Sequence, residues 1–296
     1  DGDSYEAARS LNQSLTFESA SNEFSRQSIP FERQNMRTLK LVNEDDVYTN
    51  LALLLSDQCK HTIKLAVYEG KDKEIFKDRQ EFSGSLLKQL NDAFEYIDLL
   101  NGTRADYDGL HRIDKRDYPI EAVREALLNM LVHRDYSYSS SALISIFPTR
   151  LEFVSVGGLI RDITLDDIML GISVARNENL ANVFYSLSLI DAYGTGIPKI
   201  YKSYEGYPKP SIEVTGNAFK VSLANQNIEV EQVLLSKGEE DAMQVLDEHK
   251  TLTRKQLQDA LNVSQSMAIR LLKALADKGL VKTAGGGKNT RYVKLN

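Results

Sequence analysis

Glu125, Asn129 and His133 stand four residues apart in a stretch, Pro119 to Val132, that reads as a helix. At about 100° per residue each lies about 40° round from the last, so a carboxylate, an amide and an imidazole share one face. Val123, Leu127, Met130 and Leu131 form the other face. Pro119 suits the first turn and Glu121 suits the positive end of the helix dipole. A helix with an apolar side for the core and these three groups opposite is suited to line a site, although a solvated helix face has the same spacing.

Two glycine turns add to this. Gly157-Gly158 follows a strand, and Gly194-Thr195-Gly196 precedes a helix. Both are places where backbone approaches a phosphate closely and helix N–H groups receive it. The sequential order of polar helix, strand hairpin, glycine pair, long connection, Gly-x-Gly and helix is more specific than any one part.

A third candidate surface is electrostatic. From Lys250 to Asn296 there are ten Lys or Arg against two Asp or Glu, a net +8, whereas the whole chain carries −6, which leaves −14 for residues 1–249. A basic tail on an acidic body points to polyanion binding by the tail. Residues 239–296 read as helix, helix, turn, helix and a strand pair, with Thr253 and Ser264 as caps and Met267, Leu271, Leu272 and Leu275 toward the core. This resembles the winged helix-turn-helix of bacterial transcription regulators. In that geometry Ser264, Gln265, Ser266 and Arg270 face base edges, and Lys273, Lys288 and Arg291 meet phosphates.

The elements that must position these groups follow from periodicity. A helix is expected over Asp45 to Leu55, a strand over Thr62 to Tyr68, and a helix over Ser83 to Leu100 capped by Ser83 or Ser85. Strands at Leu143 to Phe147 and Leu151 to Val156, helices around Leu180 to Leu189 and from Gly196 to Tyr204, and a hairpin turning at Thr215-Gly216-Asn217 complete the body. Residues 1–40, with Leu11, Leu15, Phe17 and Phe24, are expected to hold one or two helices.

The 296 residues are enough for about two domains, and 42% hydrophobic with 26% charged residues is ordinary globular usage. The longest apolar runs, such as Leu51 to Leu55, are far below the roughly 20 residues that cross a bilayer. Cys59 is the single cysteine, and with four scattered histidines no zinc-spaced ligand set occurs. A cytoplasmic location is expected, as is a longer parent protein, since the chain opens Asp1-Gly2-Asp3-Ser4 without Met or a signal sequence.

The stretch from Pro119 to Tyr136, then Arg150 to Phe153, Gly157 to Leu159, Ala175 to Asn177, Gly194 to Ile197 and Pro208 to Pro210, resembles transcriptional regulators whose ATPase-like domain is labelled "RecG C-terminal-like". That domain is related to the gyrase, Hsp90, histidine kinase and MutL ATPases. Residues 1–100, notably Phe76 to Leu90, resemble the segment that follows a Schlafen AlbA-type domain in such proteins. The resemblance implies an α/β sandwich with a mixed sheet. It makes Glu125 the general base toward a γ-phosphate and Asn129 the Mg²⁺ holder. It places Gly157 and Gly158 at the adenine end, Gly194 and Gly196 at the phosphates, and His133, Arg134, Arg176 and Asn177 within the motif. Ser155-Val156 stands where the superfamily has an adenine-reading Asp and the family Asn-Pro, and Glu178 replaces the Pro of Arg-Asn-Pro.

The expected organisation is an AlbA-type remnant and connecting segment at 1–100, an ATPase-like α/β sandwich at 101–225, a linker at 226–238 and a winged helix at 239–296. The expected function is a DNA-binding transcriptional regulator with a nucleotide site for ATP and Mg²⁺, acting on double-stranded DNA as a homodimer. A DNA-dependent ATPase and a nonhydrolytic scaffold are the alternatives. A Gly-x-x-x-x-Gly-Lys-Ser/Thr loop does not occur, which argues against a motor of the usual helicase design.

Overall fold

The computed structural model describes residues 4–172, 174–191, 194–228, 236–249, 251–277, 280–284 and 290–294. It divides into two compact units, Asp1–Ile228 and Glu229–Asn296.

The first unit begins with a single 3-10 turn at Tyr5–Ala7, then α1 (Glu18–Arg26), α2 (Arg33–Thr38), α3 (Asn50–Leu55), β1 (Ile63–Tyr68), β2 (Phe76–Phe82) and α4 (Leu86–Leu100). A hairpin of β3 (Thr103–Asp108) and β4 (His111–Arg116) precedes α5 (Ile120–Val132). Strands β5 (Ala142–Ile146) and β6 (Arg150–Val156), helices α6 (Leu165–Met169), α7 (Glu178–Ser186) and α8 (Gly196–Ser203), and strands β7 (Ser211–Val214) and β8 (Ala218–Ala224) complete it.

Six strands form one sheet in the order β2-β1-β5-β6-β8-β7. β1 and β5 run parallel and all other neighbours antiparallel, so the sheet is mixed. The core runs across residue 100 without a break, because Leu65 of β1, Leu87 of α4, Leu127 of α5 and Phe153 of β6 belong to one buried cluster. α5 packs on β6 and β8 and lies beside α4 and α8. The buried Ala122, Val123, Ala126, Leu127, Met130 and Leu131 hold it there, which fixes the polar face by difference.

Three strands lack a sequence signal. β2 is an edge strand, and from Phe76 to Glu81 every residue is exposed, so no apolar alternation marks it. β3 and β4 pair only with each other, and the exposed His111 to Asp114 show no buried face. Their two-residue turn is Gly109-Leu110, with Gly109 at φ +60°, the left-handed region that favours glycine. The helix expected from Ser83 starts at Leu86. Ser85 occupies its cap position, but the Ser85 hydroxyl caps nothing and is buried without a partner.

The expected linker is divided. Gln226 N–H donates to the Asp117 carbonyl at 2.8 Å and Asn227 Nδ2 to the Lys115 carbonyl at 2.8 Å, which keeps both in the first unit.

The second unit comprises α9 (Lys237–His249), β9 (Thr251–Thr253), α10 (Arg254–Leu261), α11 (Gln265–Asp277), β10 (Val281–Ala284) and β11 (Arg291–Lys294). Its antiparallel sheet has the order β10-β11-β9. Thr253 and Gln256 form a reciprocal capping box on α10, and Asn262, at φ +50°, ends it in the left-handed conformation. Ala242, Leu246, Leu252, Leu257, Leu272, Leu275 and Val281 are its core. Ala268 is buried at the position expected for Met267, whose sulfur instead contacts Arg270 Nη2 at 2.9 Å.

Candidate functional site

A cavity of about 520 Å³ opens beside the polar face of α5. Glu125, Asn129 and His133 line it, with Gly157 and Gly158 from the end of β6 and Gly194, Thr195 and Gly196 from the turn into α8. Arg176 closes one side.

Glu125 is buried, and burial pushes its carboxyl above the usual range while the charges of Arg124 and Lys199 pull the other way. Arg124 Nη1 donates to Glu125 Oε1 at 2.6 Å, and its other nitrogen donates to the Leu189 carbonyl. One guanidinium therefore ties the carboxylate to the segment that leads into the Gly194 turn. Asn129 Nδ2 donates to the Glu125 backbone carbonyl at 2.8 Å, which leaves Oδ1 as its acceptor toward α8. Burial, then the charge of Arg176, hold the His133 imidazole down at about 4, so it is neutral at physiological pH.

The glycines have separate reasons. A Cβ on Gly196 would stand 3.0 Å from both Glu125 Oε2 and Asn129 Nδ2, so the start of α8 approaches α5 as closely as it does because no side chain intervenes. A Cβ on Gly158 would meet the Thr215 carbonyl at 2.4 Å, so that glycine answers to the neighbouring β7–β8 turn. Gly157 has φ +107° and lies against Asp135.

Three residues expected at the site lie elsewhere. Arg134 is fully buried and is not a cavity residue. It donates to the Thr62 and Ser140 carbonyls and lies 3.3 Å from His61 Nδ1. A guanidinium only donates, so Nδ1 is the acceptor and Nε2 carries the hydrogen toward Tyr5 Oη, 3.3 Å away. Asn177 Nδ2 donates to the Val132 and Arg134 carbonyls and closes the end of α5. Ser155 is buried within β6, opposite Phe219 of β8, and does not reach the cavity.

Sequence reasoning missed the apolar wall. Ile160, Ile163, Ile168 and Ile172 come from the long connection around α6. The recurrence of isoleucine between residues 160 and 172 was the available signal. It also missed Glu6, whose two carboxylate oxygens accept the Asn179 and Leu180 N–H groups at 2.8 and 2.9 Å at the start of α7.

Among the described residues no group of three His, Cys, Asp or Glu side chains could hold a metal ion. Asn129 Oδ1, a single neutral oxygen, fits Mg²⁺ that keeps its waters and is held chiefly by a ligand's phosphates. When bound, that ion would neutralise phosphate charge.

In the second unit Ser264, Gln265, Ser266, Arg270 and Lys273 are all exposed along α11, and Arg291 is exposed on β11. Lys288 lies outside the described residues.

Residues 140–223, from just before β5 almost to the end of β8, match the family described as "Putative ATP-dependent DNA helicase recG C-terminal". The matched segment holds Gly157, Gly158, Gly194 and Gly196 but not the helix that carries Glu125 and Asn129. The DIP2311 protein of Corynebacterium diphtheriae, known from a crystal structure, superposes on all of this chain with a TM-score of 0.68 and 20% identity. The chain spans 65% of the length of that protein, and the likeness is one of fold. No curated protein matches the sequence. No helix among the described residues is long and apolar enough to cross a membrane.

Proposed function

We propose that the chain is a DNA-binding regulator whose first unit senses a nucleotide-type ligand in the cavity beside α5. The observation that carries this reading is the approach of Gly196 to Glu125 and Asn129, which sets a helix N-terminus against a carboxylate and an amide at the mouth of a ligand-sized cavity. The match of residues 140–223 to an ATPase-like family supports the ligand class. On the family pattern Glu125 is the candidate base for hydrolysis, with Asn129 beside it, and Arg124 holds the Glu125 carboxylate in place.

The second unit is the DNA-binding part. Its order of helix, strand, helix, helix and strand pair supports a winged helix, with α11 as the helix for the major groove. Two copies acting on related half-sites would suit a two-fold operator. The deciding experiment is calorimetry of the full chain with Mg²⁺-ATP, Mg²⁺-ADP and duplex DNA, with ATP turnover measured alongside. Heat of binding with slow or no turnover supports a sensor, and DNA-stimulated turnover would replace it with a DNA-dependent ATPase.

A further inference from the structure

The β3–β4 arm is held at its base and bare at its tip. At the base the Asn101 side chain exchanges hydrogen bonds with the Tyr118 backbone, and the Asp117 N–H donates to the Gly102 carbonyl at 2.9 Å. Beyond it, among the described residues, the two strands pair only with each other, and Tyr107, Leu110 and Ile113 are 68%, 99% and 44% exposed. A two-stranded hairpin with neither face covered is marginal in water, and its open edges are templates for a further strand. Asp106, Asp108 and Asp114 stand among its basic residues, which disfavours nucleic acid as the cover.

The register decides which edge groups are available. Gly102 and Asp117 form a hydrogen-bonded pair, and such pairs alternate along an antiparallel ladder, so Arg104 with Lys115 and Asp106 with Ile113 bond inward. Arg112 and Asp114 alternate with these and turn their backbone N–H and C=O groups outward along the free edge of β4. Their side chains share one face and are ion-paired to each other at 2.7 Å, while Ile113 points to the other face.

A second copy fits this edge in one register. Two β4 strands related by a two-fold axis run antiparallel, and the residue on the axis faces its own copy. With the axis at Ile113, Arg112 stands opposite the partner's Asp114 and Asp114 opposite the partner's Arg112, each a hydrogen-bonded pair made from the outward groups. The two Ile113 side chains then meet at the closer, non-hydrogen-bonded position. An axis at Arg112 would oppose two arginines and an axis at Asp114 two aspartates, and like charges directly opposite destabilise a ladder. The β3 edge is less suited, because its Arg104 and Asp106 already engage the Asn227 carbonyl and Lys115.

We propose that β4 is a self-association edge, at which the arms of two chains join antiparallel across Ile113 into a four-stranded sheet with Arg112 bridged to the partner's Asp114. The exposed part of the edge, residues 110–114, is short against the roughly 1,200–2,000 Å² of a stable interface, so the contact is weak alone and serves chains held near each other.

The test is disulfide trapping of the full chain under mild oxidation. Ile113→Cys places two thiols at the axis within disulfide reach, whereas Leu110→Cys places them about 20 Å apart at about 3.4 Å per residue. The native Cys59 is buried and competes with neither. Ile113→Cys should form a covalent dimer at least ten-fold faster than Leu110→Cys, although Leu110 is the more exposed. Asp114→Arg in the Ile113→Cys background should bring the rate down to the Leu110→Cys level, and adding Arg112→Asp should restore it, with circular dichroism checking each fold. Equal rates for the two cysteine variants overturn the proposal, whether solvent or another protein covers the arm. So does a rate that Asp114→Arg leaves unchanged, which assigns any dimer to another surface such as the β2 edge, and so does a loss that the charge swap does not restore. Neither nucleotide nor DNA enters the test, so its outcome leaves the cavity reading untouched.

Discussion

Gly196 lies so close to Glu125 that a side-chain carbon on the glycine would come within 3.0 Å of the carboxylate. The turn into α8 and the polar face of α5 are thus one structure, and neither can change without the other. Gly196→Ala should displace Glu125 and Asn129 by a few tenths of an ångström and weaken ligand binding ten-fold or more, with a stability cost of only about 1 kcal/mol. Calorimetry beside thermal melting separates the two effects.

Gly158→Ala should behave in the reverse manner. The added carbon meets the Thr215 and Gly216 carbonyls at 2.4 and 2.7 Å, and these are backbone atoms that cannot rotate away. We expect a loss of about 1–3 kcal/mol, read as a lower urea midpoint at unchanged slope.

Glu6→Ala should destabilise the first unit by about 1–3 kcal/mol, because it leaves the Asn179 and Leu180 N–H groups at the start of α7 without their acceptor. Glu6→Gln keeps one acceptor oxygen and should cost less. Equal melting temperatures for the two variants and the parent would contradict this assignment.

Acid should weaken the fold through His61 and His133, both held down at about 4. Each folded value lies below the unfolded one, so the unfolded chain binds the proton first. Their stability contribution is complete above about pH 6.5 and falls as the pH drops toward 4, by at most about 1.4 kcal/mol per unit per histidine. Burial raises the carboxyls of Glu6 and Glu125, which works in the opposite sense. Urea midpoints from pH 7 to pH 4.5 should fall less steeply in His61→Gln than in the parent.

Duplex DNA retention should separate two classes of residue on the second unit. Arg270→Ala should relax sequence preference, whereas Arg291→Ala should weaken all sequences alike and reduce the salt slope by about one. Identical losses on specific and random duplexes for both variants would remove α11 from base reading.

The sequence was legible where a segment buries one face and not where it buries none. α5 and α11 show their apolar stripes plainly, and the four-residue spacing of Glu125, Asn129 and His133 did place all three on the cavity. Edge strand β2 and the β3–β4 hairpin have no buried face to leave a pattern. Arg134, Asn177 and Ser155 are expected at the site from the sequence, yet Arg134 and Asn177 bond backbone carbonyls and Ser155 is buried within β6.

The single parallel pair in the sheet bears on the order of assembly. Ile63 of β1 aligns with Ala142 of β5, 79 residues later in the chain. No hairpin can bring them together, so this seam requires closure of a long loop that contains α4, the β3–β4 arm and α5. β5 with β6, and β7 with β8, are local antiparallel hairpins and can pair first. The two seams on either side of the central β5–β6 hairpin, β1–β5 and β6–β8, are therefore expected to form last, and the slowest phases of refolding should report on β1 and β8.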